Sequence, residues 1–145
     1  MLFRRNSVLA ALLIAFSLGV VAGLRSMMAP AAVLLARHVR VAGIVVAILA
    51  VGELIVDLLP TTPSRTAPVP LVARIISGAF CGWFVVTGSP AARIAGMLAG
   101  VAGALVGTYG GHAARVRAIK RLGAIPAALA EDVVALALAL FAVTR

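Results

Sequence analysis

Four acidic residues are the side chains in this chain whose types and spacing suggest chemistry. Glu53 and Asp57 lie four residues apart in GELIVDLLPTTPSR, and Glu131 and Asp132 are adjacent in ALAEDVVAL. They are the only acids in 145 residues, and each lies in or beside a strongly apolar run. Carboxylates in apolar surroundings are typical of proton and ion pathways in membrane proteins. We therefore treat all four as candidate ligands for a proton or a small cation.

The composition indicates a membrane protein. Hydrophobic residues make up 63% of the chain, charged residues make up 12%, and the mean hydropathy is +1.18. Soluble domains are roughly half apolar and a quarter charged. We predict one all-α, polytopic integral membrane domain over residues 1–145, with the lipid bilayer as its partner.

The net charge of +9 does not by itself indicate nucleic acid as a partner. The basic residues are scattered between apolar runs, and no nucleic-acid-binding motif accompanies them. The single cysteine, Cys81, excludes an internal disulfide and a cysteine-based metal site. The sequence contains no phosphate-binding loop and no histidine pair at metal spacing, so it favours a protein that is not an enzyme and has no cofactor.

Five apolar segments have about the 17 to 25 residues that a membrane helix needs; they cover roughly residues 7–24, 41–59, 71–88, 91–111 and 126–143. The first has the basic start and apolar core of a signal peptide, but we interpret it as a membrane helix. A sixth apolar piece, near residues 26–37, is too short to cross. We expect a re-entrant or interfacial half-helix there, with Ser26 as N-cap and Pro30 in the first turn. The basic segment HAARVRAIKRLG predicts a separate interfacial helix.

The distribution of basic residues favours a cytoplasmic N-terminus. With that orientation, five basic residues lie outside, namely Arg25, Arg37, Arg40, Arg93 and Arg145. Eight lie in the cytoplasm, namely Arg4, Arg5, Arg65, Arg74, Arg115, Arg117, Lys120 and Arg121.

Counting hairpins places all four acids at one membrane level. The end of the second span, the start of the third, the end of the fourth and the start of the fifth share one side. This acid layer comprises Glu53, Asp57, Arg74, Tyr109, His112, Glu131 and Asp132. We expect Arg74 to pair with Glu53 or Asp57, and His112 to serve Glu131 or Asp132. Arg25 is expected toward the opposite side, reaching the acids only if the short segment after it folds back.

Glycines recur at intervals of three and four along the fourth span, and two more lie in the third. Such a stripe lets another helix backbone approach closely. The stripe comprises Gly96, Gly100, Gly103 and Gly107 in the fourth span, with Gly78 and Gly82 in the third. It predicts either helix packing within one protomer or the seam of a homo-oligomer.

Several strings resemble a known family. GLRSMMAP, GELIVDLLPTTPSRTAPVPLVARIISGAFCG, GALVGTYGGHAAR and LGAIPAALAEDVVAL are similar to bacterial membrane proteins grouped as domain of unknown function 4126. The resemblance covers about Gly19 to Val143 and implies a helical protein of the bacterial inner membrane. Members of that family usually have a lysine after the aspartate of the middle motif, where this chain has Leu58. The resemblance therefore implies a larger role for Arg74, and it implies no catalytic residues.

Two functions remain open on this evidence. In the first, the protein is a small transporter or channel for protons or small cations, which the acids bind; four acids at one level favour it, since helix registry needs fewer. In the second, it is a non-transporting membrane scaffold or assembly partner whose acids only hold helices together. An enzyme acting on lipid headgroups would need a divalent metal at the acid layer, and no further feature supports it.

Overall fold

A computed structural model of the chain describes the backbone of residues 2–56 and 66–144 and the side chains of residues 8–56 and 66–144. The described backbone is all-α, as the composition predicts, with no strand in these ranges. Its helices are α1 (Leu2–Leu24), α2 (Met28–Ala36), α3 (Arg40–Val56), α4 (Pro68–Val85), α5 (Pro90–Leu122) and α6 (Ala124–Val143).

Three helices are long and apolar enough to cross a membrane, namely α4, α5 and α6. The structure therefore supports three of the five predicted spans by length and composition. The apolar part of α1, Val8–Leu24, is shorter, and α3 has 17 described residues. Residues 57–59, which complete the second predicted span, lie outside the described residues.

Large apolar side chains face outward around the bundle. Val41 is 79% exposed, Val69 81% and Val133 67%, and many leucines and isoleucines of the same helices are also exposed. Soluble monomers rarely expose contiguous apolar patches larger than a few hundred Å². This surface is the one that lipid tails would cover.

The predicted glycine stripe lies inside the bundle, between α1, α4 and α5. A Cβ atom on Gly82 would overlap the carbonyl oxygen of Gly96, and a Cβ on Gly103 would overlap that of Phe16. The absence of side chains at these positions lets the three helix backbones touch. The stripe thus packs helices within one chain, which is the first of the two alternatives that the sequence left open.

The contacts also fix the helix directions. Gly103 meets Phe16 and Gly107 meets Val20, so α5 runs parallel to α1. α4 runs opposite to both, because Gly78 meets Gly100 while Gly82 meets Gly96.

α2 is a buried helix of nine residues that leads the chain back along α1. Its start lies beside Ser77 of α4, and Arg37 at its end donates to the carbonyl oxygen of Phe84 near the other end of α4. Pro30 lies in the first turn, as expected, but the N-cap position is Met27 and not Ser26. A carboxylate from α3, that of Glu53, accepts hydrogen bonds from the backbone N–H groups of Ser26 and Met27, just before this helix.

Because α2 turns the chain back, one end of the bundle collects the described acids and their arginine partners. This polar end comprises the end of α1, the start of α2, the end of α3, the starts of α4 and α6, and residues 108–115 of α5. Arg25 lies there, bonded to Asp132. The expectation that Arg25 lies toward the opposite side is therefore wrong. Hairpin counting failed because it did not treat the nine-residue α2 as a reversal of chain direction.

The same reversal changes which basic residues share a membrane side. The N-terminus of α1 lies at the opposite end from the acids, together with the end of α2, the α4–α5 turn and the end of α6. The basic segment predicted as a separate interfacial helix is the continuous C-terminal part of α5, at the polar end. Of the basic residues whose backbone the structure describes, six lie at the polar end and five at the opposite end, so their count no longer favours one orientation.

Candidate functional site

Glu53 connects α3 to the break between α1 and α2. One carboxylate oxygen, Oε1, accepts hydrogen bonds from the backbone N–H and the hydroxyl of Ser26, both at 2.9 Å. The other, Oε2, accepts from the backbone N–H of Met27 at 3.0 Å. The first N–H groups of a helix have no partner within the helix. Glu53 supplies an acceptor for the N–H of the N-cap residue Met27 and for that of Ser26 just before it, and its negative charge suits the positive end of the α2 dipole.

Arg74 lies on the other side of the same break. Its side chain is 4% exposed, and Nη1 donates to the carbonyl oxygens of Gly23 and Leu24. The Leu24 bond measures 3.1 Å, and Nη2 lies 3.9 Å from Oε1 of Glu53. The predicted partners Arg74 and Glu53 are thus brought together. Arg74 also satisfies the last carbonyl groups of α1, which the sequence did not suggest.

Two hydroxyl groups complete the break. Ser77 donates to the carbonyl oxygen of Ser26, and Thr108 donates to that of Gly23 at 3.3 Å. Both side chains are at least nine-tenths buried. Sequence reasoning missed them, although Ser77 lies three residues after Arg74 and so shares its helix face.

Arg25 joins the break to α6. Its guanidinium meets one oxygen of Asp132 through Nε at 2.7 Å and Nη2 at 2.5 Å. The arginine is 1% exposed, whereas the aspartate side chain is 23% exposed. A guanidinium buried this deeply requires a charged partner. Asp132 therefore ties α6 to the α1–α2 break.

Glu131 pairs with Arg115 of α5, whose Nη1 lies 3.3 Å from the glutamate Oε2. The pair lies beside a groove of about 230 Å³ between α5 and α6, lined chiefly by apolar side chains. Sequence reasoning missed Arg115 because it placed that residue in a separate interfacial helix.

The remaining residues predicted for this site lie elsewhere. Tyr109 is 53% exposed and His112 is also exposed. Gly111 faces Glu131, and the next residue on a helix is rotated by about 100°, so His112 lies on the surface. The expectation that His112 serves Glu131 or Asp132 is therefore not met, because arginines pair with both acids. Asp57 lies outside the described residues.

The site is an arginine–carboxylate network in which Arg25 and Arg74 are more buried than their acids, whereas Arg115 is more exposed than Glu131. Glu53, Glu131 and Asp132 each have an arginine from another segment of the chain within 4 Å. Within residues 8–56 and 66–144, no group of three or more histidine, cysteine, aspartate or glutamate side chains is placed to hold a metal ion. A buried apolar cluster that includes Leu18, Val21 and Ala135 adjoins the network. Chemically, the arrangement joins α1, α2, α3, α4, α5 and α6 through charges.

Comparisons with known protein families, with curated proteins and with solved structures find no match to this chain.

Proposed function

We propose that the protein is a non-transporting scaffold or assembly partner in the bacterial inner membrane, and that its paired acids hold a broken helix in place. The bacterial location rests on the resemblance of its sequence strings to domain of unknown function 4126. In this proposal α1, α3, α4, α5 and α6 span the bilayer, and α2 leads the chain back through it from the polar end toward the opposite end.

One observation carries the proposal: each described acid already has a structural task. Glu53 accepts the N–H groups of Ser26 and Met27 just before α2, Asp132 neutralises Arg25, and Glu131 pairs with Arg115. A cation that bound these carboxylates would have to displace an arginine or a backbone donor. Removing one partner of a buried pair costs about 3 to 5 kcal/mol. That penalty makes the acids more suitable for fixing helix positions than for binding and releasing an ion.

A scaffold needs a surface for its partner. The glycine stripe is not that surface, since it is occupied by α1, α4 and α5 of the same chain. A homo-oligomer would use another face. In the described residues the backbone of α3 lies close to that of α2 alone, and α3 exposes Ile44, Ile48 and Ile55.

Flux measurement in liposomes tests the proposal. The purified protein is reconstituted, and proton flux under a pH gradient and Na⁺ or K⁺ flux are compared with those of empty liposomes. We expect no flux above the empty control. Proton or cation flux that is lost in Glu53→Gln or Glu131→Gln, while those variants stay folded, contradicts the scaffold proposal.

Transport of protons or small cations is the second candidate, and the break between α1 and α2 favours it. Secondary transporters commonly place discontinuous helices and charged groups at the substrate site. An open cavity of about 430 Å³ also lies at the opposite end, lined by Ala10, Val33 and Arg37 among others. The apolar cluster around Leu18 would have to open for an ion to pass from this cavity to the network. The same flux measurement decides between the two candidates.

A further inference from the structure

We propose that the C-terminal part of α5 binds the phosphate headgroup of an anionic phospholipid. This inference goes beyond the scaffold proposal and does not depend on it. It starts from length: α5 has 33 residues and is therefore about 50 Å long. The hydrocarbon core of a bilayer is about 30 Å thick. If the apolar first part of α5 crosses the membrane, its last turns extend into the headgroup region.

Those last turns carry three cations on one face. Arg117, Lys120 and Arg121 are exposed and lie at spacings of three and four residues, which places them side by side. A second face carries Val116, Ile119 and Leu122, which are 42%, 40% and 60% exposed. A helix segment with cations on one face and apolar side chains on another is suited to the boundary between headgroups and lipid tails.

The three cations lie around an open groove of about 620 Å³, which Ala118 and Leu122 also line. No ion pair or hydrogen bond from Arg117, Lys120 or Arg121 to the described part of the chain is present. The nearby acid Glu131 is engaged by Arg115. The groove therefore offers several guanidinium and ammonium donors, and no carboxylate of residues 8–56 or 66–144 pairs with them. A phosphodiester oxygen on a lipid headgroup complements that charge.

Binding of phosphatidylglycerol to the detergent-solubilised full chain tests this inference. Phosphatidylcholine with the same acyl chains is the zwitterionic control, and native mass spectrometry measures the dissociation constants. The variant pair Arg117→Gln/Arg121→Gln is compared with Arg40→Gln/Arg93→Gln, which removes equal charge from the opposite end. Each interfacial cation contributes about fivefold to anionic-lipid affinity. We expect the first pair to weaken phosphatidylglycerol binding about 25-fold and the second pair to leave it unchanged.

Several results would overturn the inference. The wild type could bind the two lipids with equal affinity, or both variant pairs could weaken phosphatidylglycerol binding equally. Millimolar inorganic phosphate could displace the lipid, or a short single-stranded RNA could bind more tightly than phosphatidylglycerol. If the glutamine pair does not fold, the wild type alone decides. Its phosphatidylglycerol binding should weaken at least threefold when ammonium acetate rises from about 0.1 to 0.5 M, and binding that is insensitive to salt contradicts a headgroup site.

Discussion

Replacing Glu53 by glutamine should loosen the break between α1 and α2. The carboxylate accepts two hydrogen bonds at Oε1 and one at Oε2, all between 2.9 and 3.0 Å. In Glu53→Gln the amide oxygen can keep the two Ser26 donors, but as a neutral acceptor. The amide nitrogen then faces the Met27 N–H, which is left without an acceptor.

The magnitude follows from these bonds. A hydrogen bond to a charged group contributes about 1.5 to 3 kcal/mol and a neutral one about 1 kcal/mol, while an unsatisfied buried donor costs about 1 to 3 kcal/mol. Relaxation and the partial exposure of Glu53, 16% of its side chain, reduce the sum. We expect Glu53→Gln to lower the free energy of unfolding by about 3 kcal/mol, which is about 150-fold in the unfolding equilibrium constant.

The assay is equilibrium unfolding in mixed micelles, combined with amide hydrogen exchange. Exchange at Ser26 and Met27 should accelerate in Glu53→Gln, since their N–H groups lose a charged acceptor. Tyr109→Phe is the control, because Tyr109 is 53% exposed, and it should change the unfolding free energy by less than about 0.5 kcal/mol. A Glu53→Gln protein that unfolds like the wild type, with unchanged exchange at both amides, refutes the capping role assigned to Glu53.

Three further results are expected. Gly82→Ala should prevent α4 and α5 from packing and lower the free energy of unfolding by at least about 3 kcal/mol. Gly52→Ala, where a Cβ meets no described atom within 4 Å, should instead stabilise α3 by up to about 1 kcal/mol. Thermal unfolding of both variants checks this, and equal effects would contradict the packing of α4 against α5. Arg25→Gln and Asp132→Asn should each cost about 3 kcal/mol, and a double variant that loses the full sum of the two costs would show that the pair is not coupled. Lys120→Cys can be labelled with a thiol reagent added to one membrane side, since the native Cys81 is buried. Labelling should place residue 120 on the side opposite an N-terminal tag. If residue 120 and the tag lie on one side, the reversal at α2 is contradicted.

Part of the site could be read from the sequence because it depends on helix periodicity and on the cost of burying charge. Arg74 was expected to pair with Glu53 or Asp57, and its Nη2 lies 3.9 Å from Oε1 of Glu53. The partners of Glu131 and Asp132 could not be read in this way. His112 is nearer in sequence to both acids than Arg25 is. Which side chain reaches an acid is decided, however, by the helix face on which the residue lies and by the direction in which the helix runs.

The sequence by itself therefore determined the local features of the fold. These are an all-α chain, apolar helices, glycines where backbones must touch, and rare acids that need partners. These follow from local composition and spacing, which hold whatever the topology. Only the tertiary structure decided that α2 reverses the chain and brings Arg25 to the acids. A nine-residue helix is too short to be recognised as a crossing from its hydropathy, and its direction depends on buried contacts with α3, α4 and α6 that no local pattern encodes.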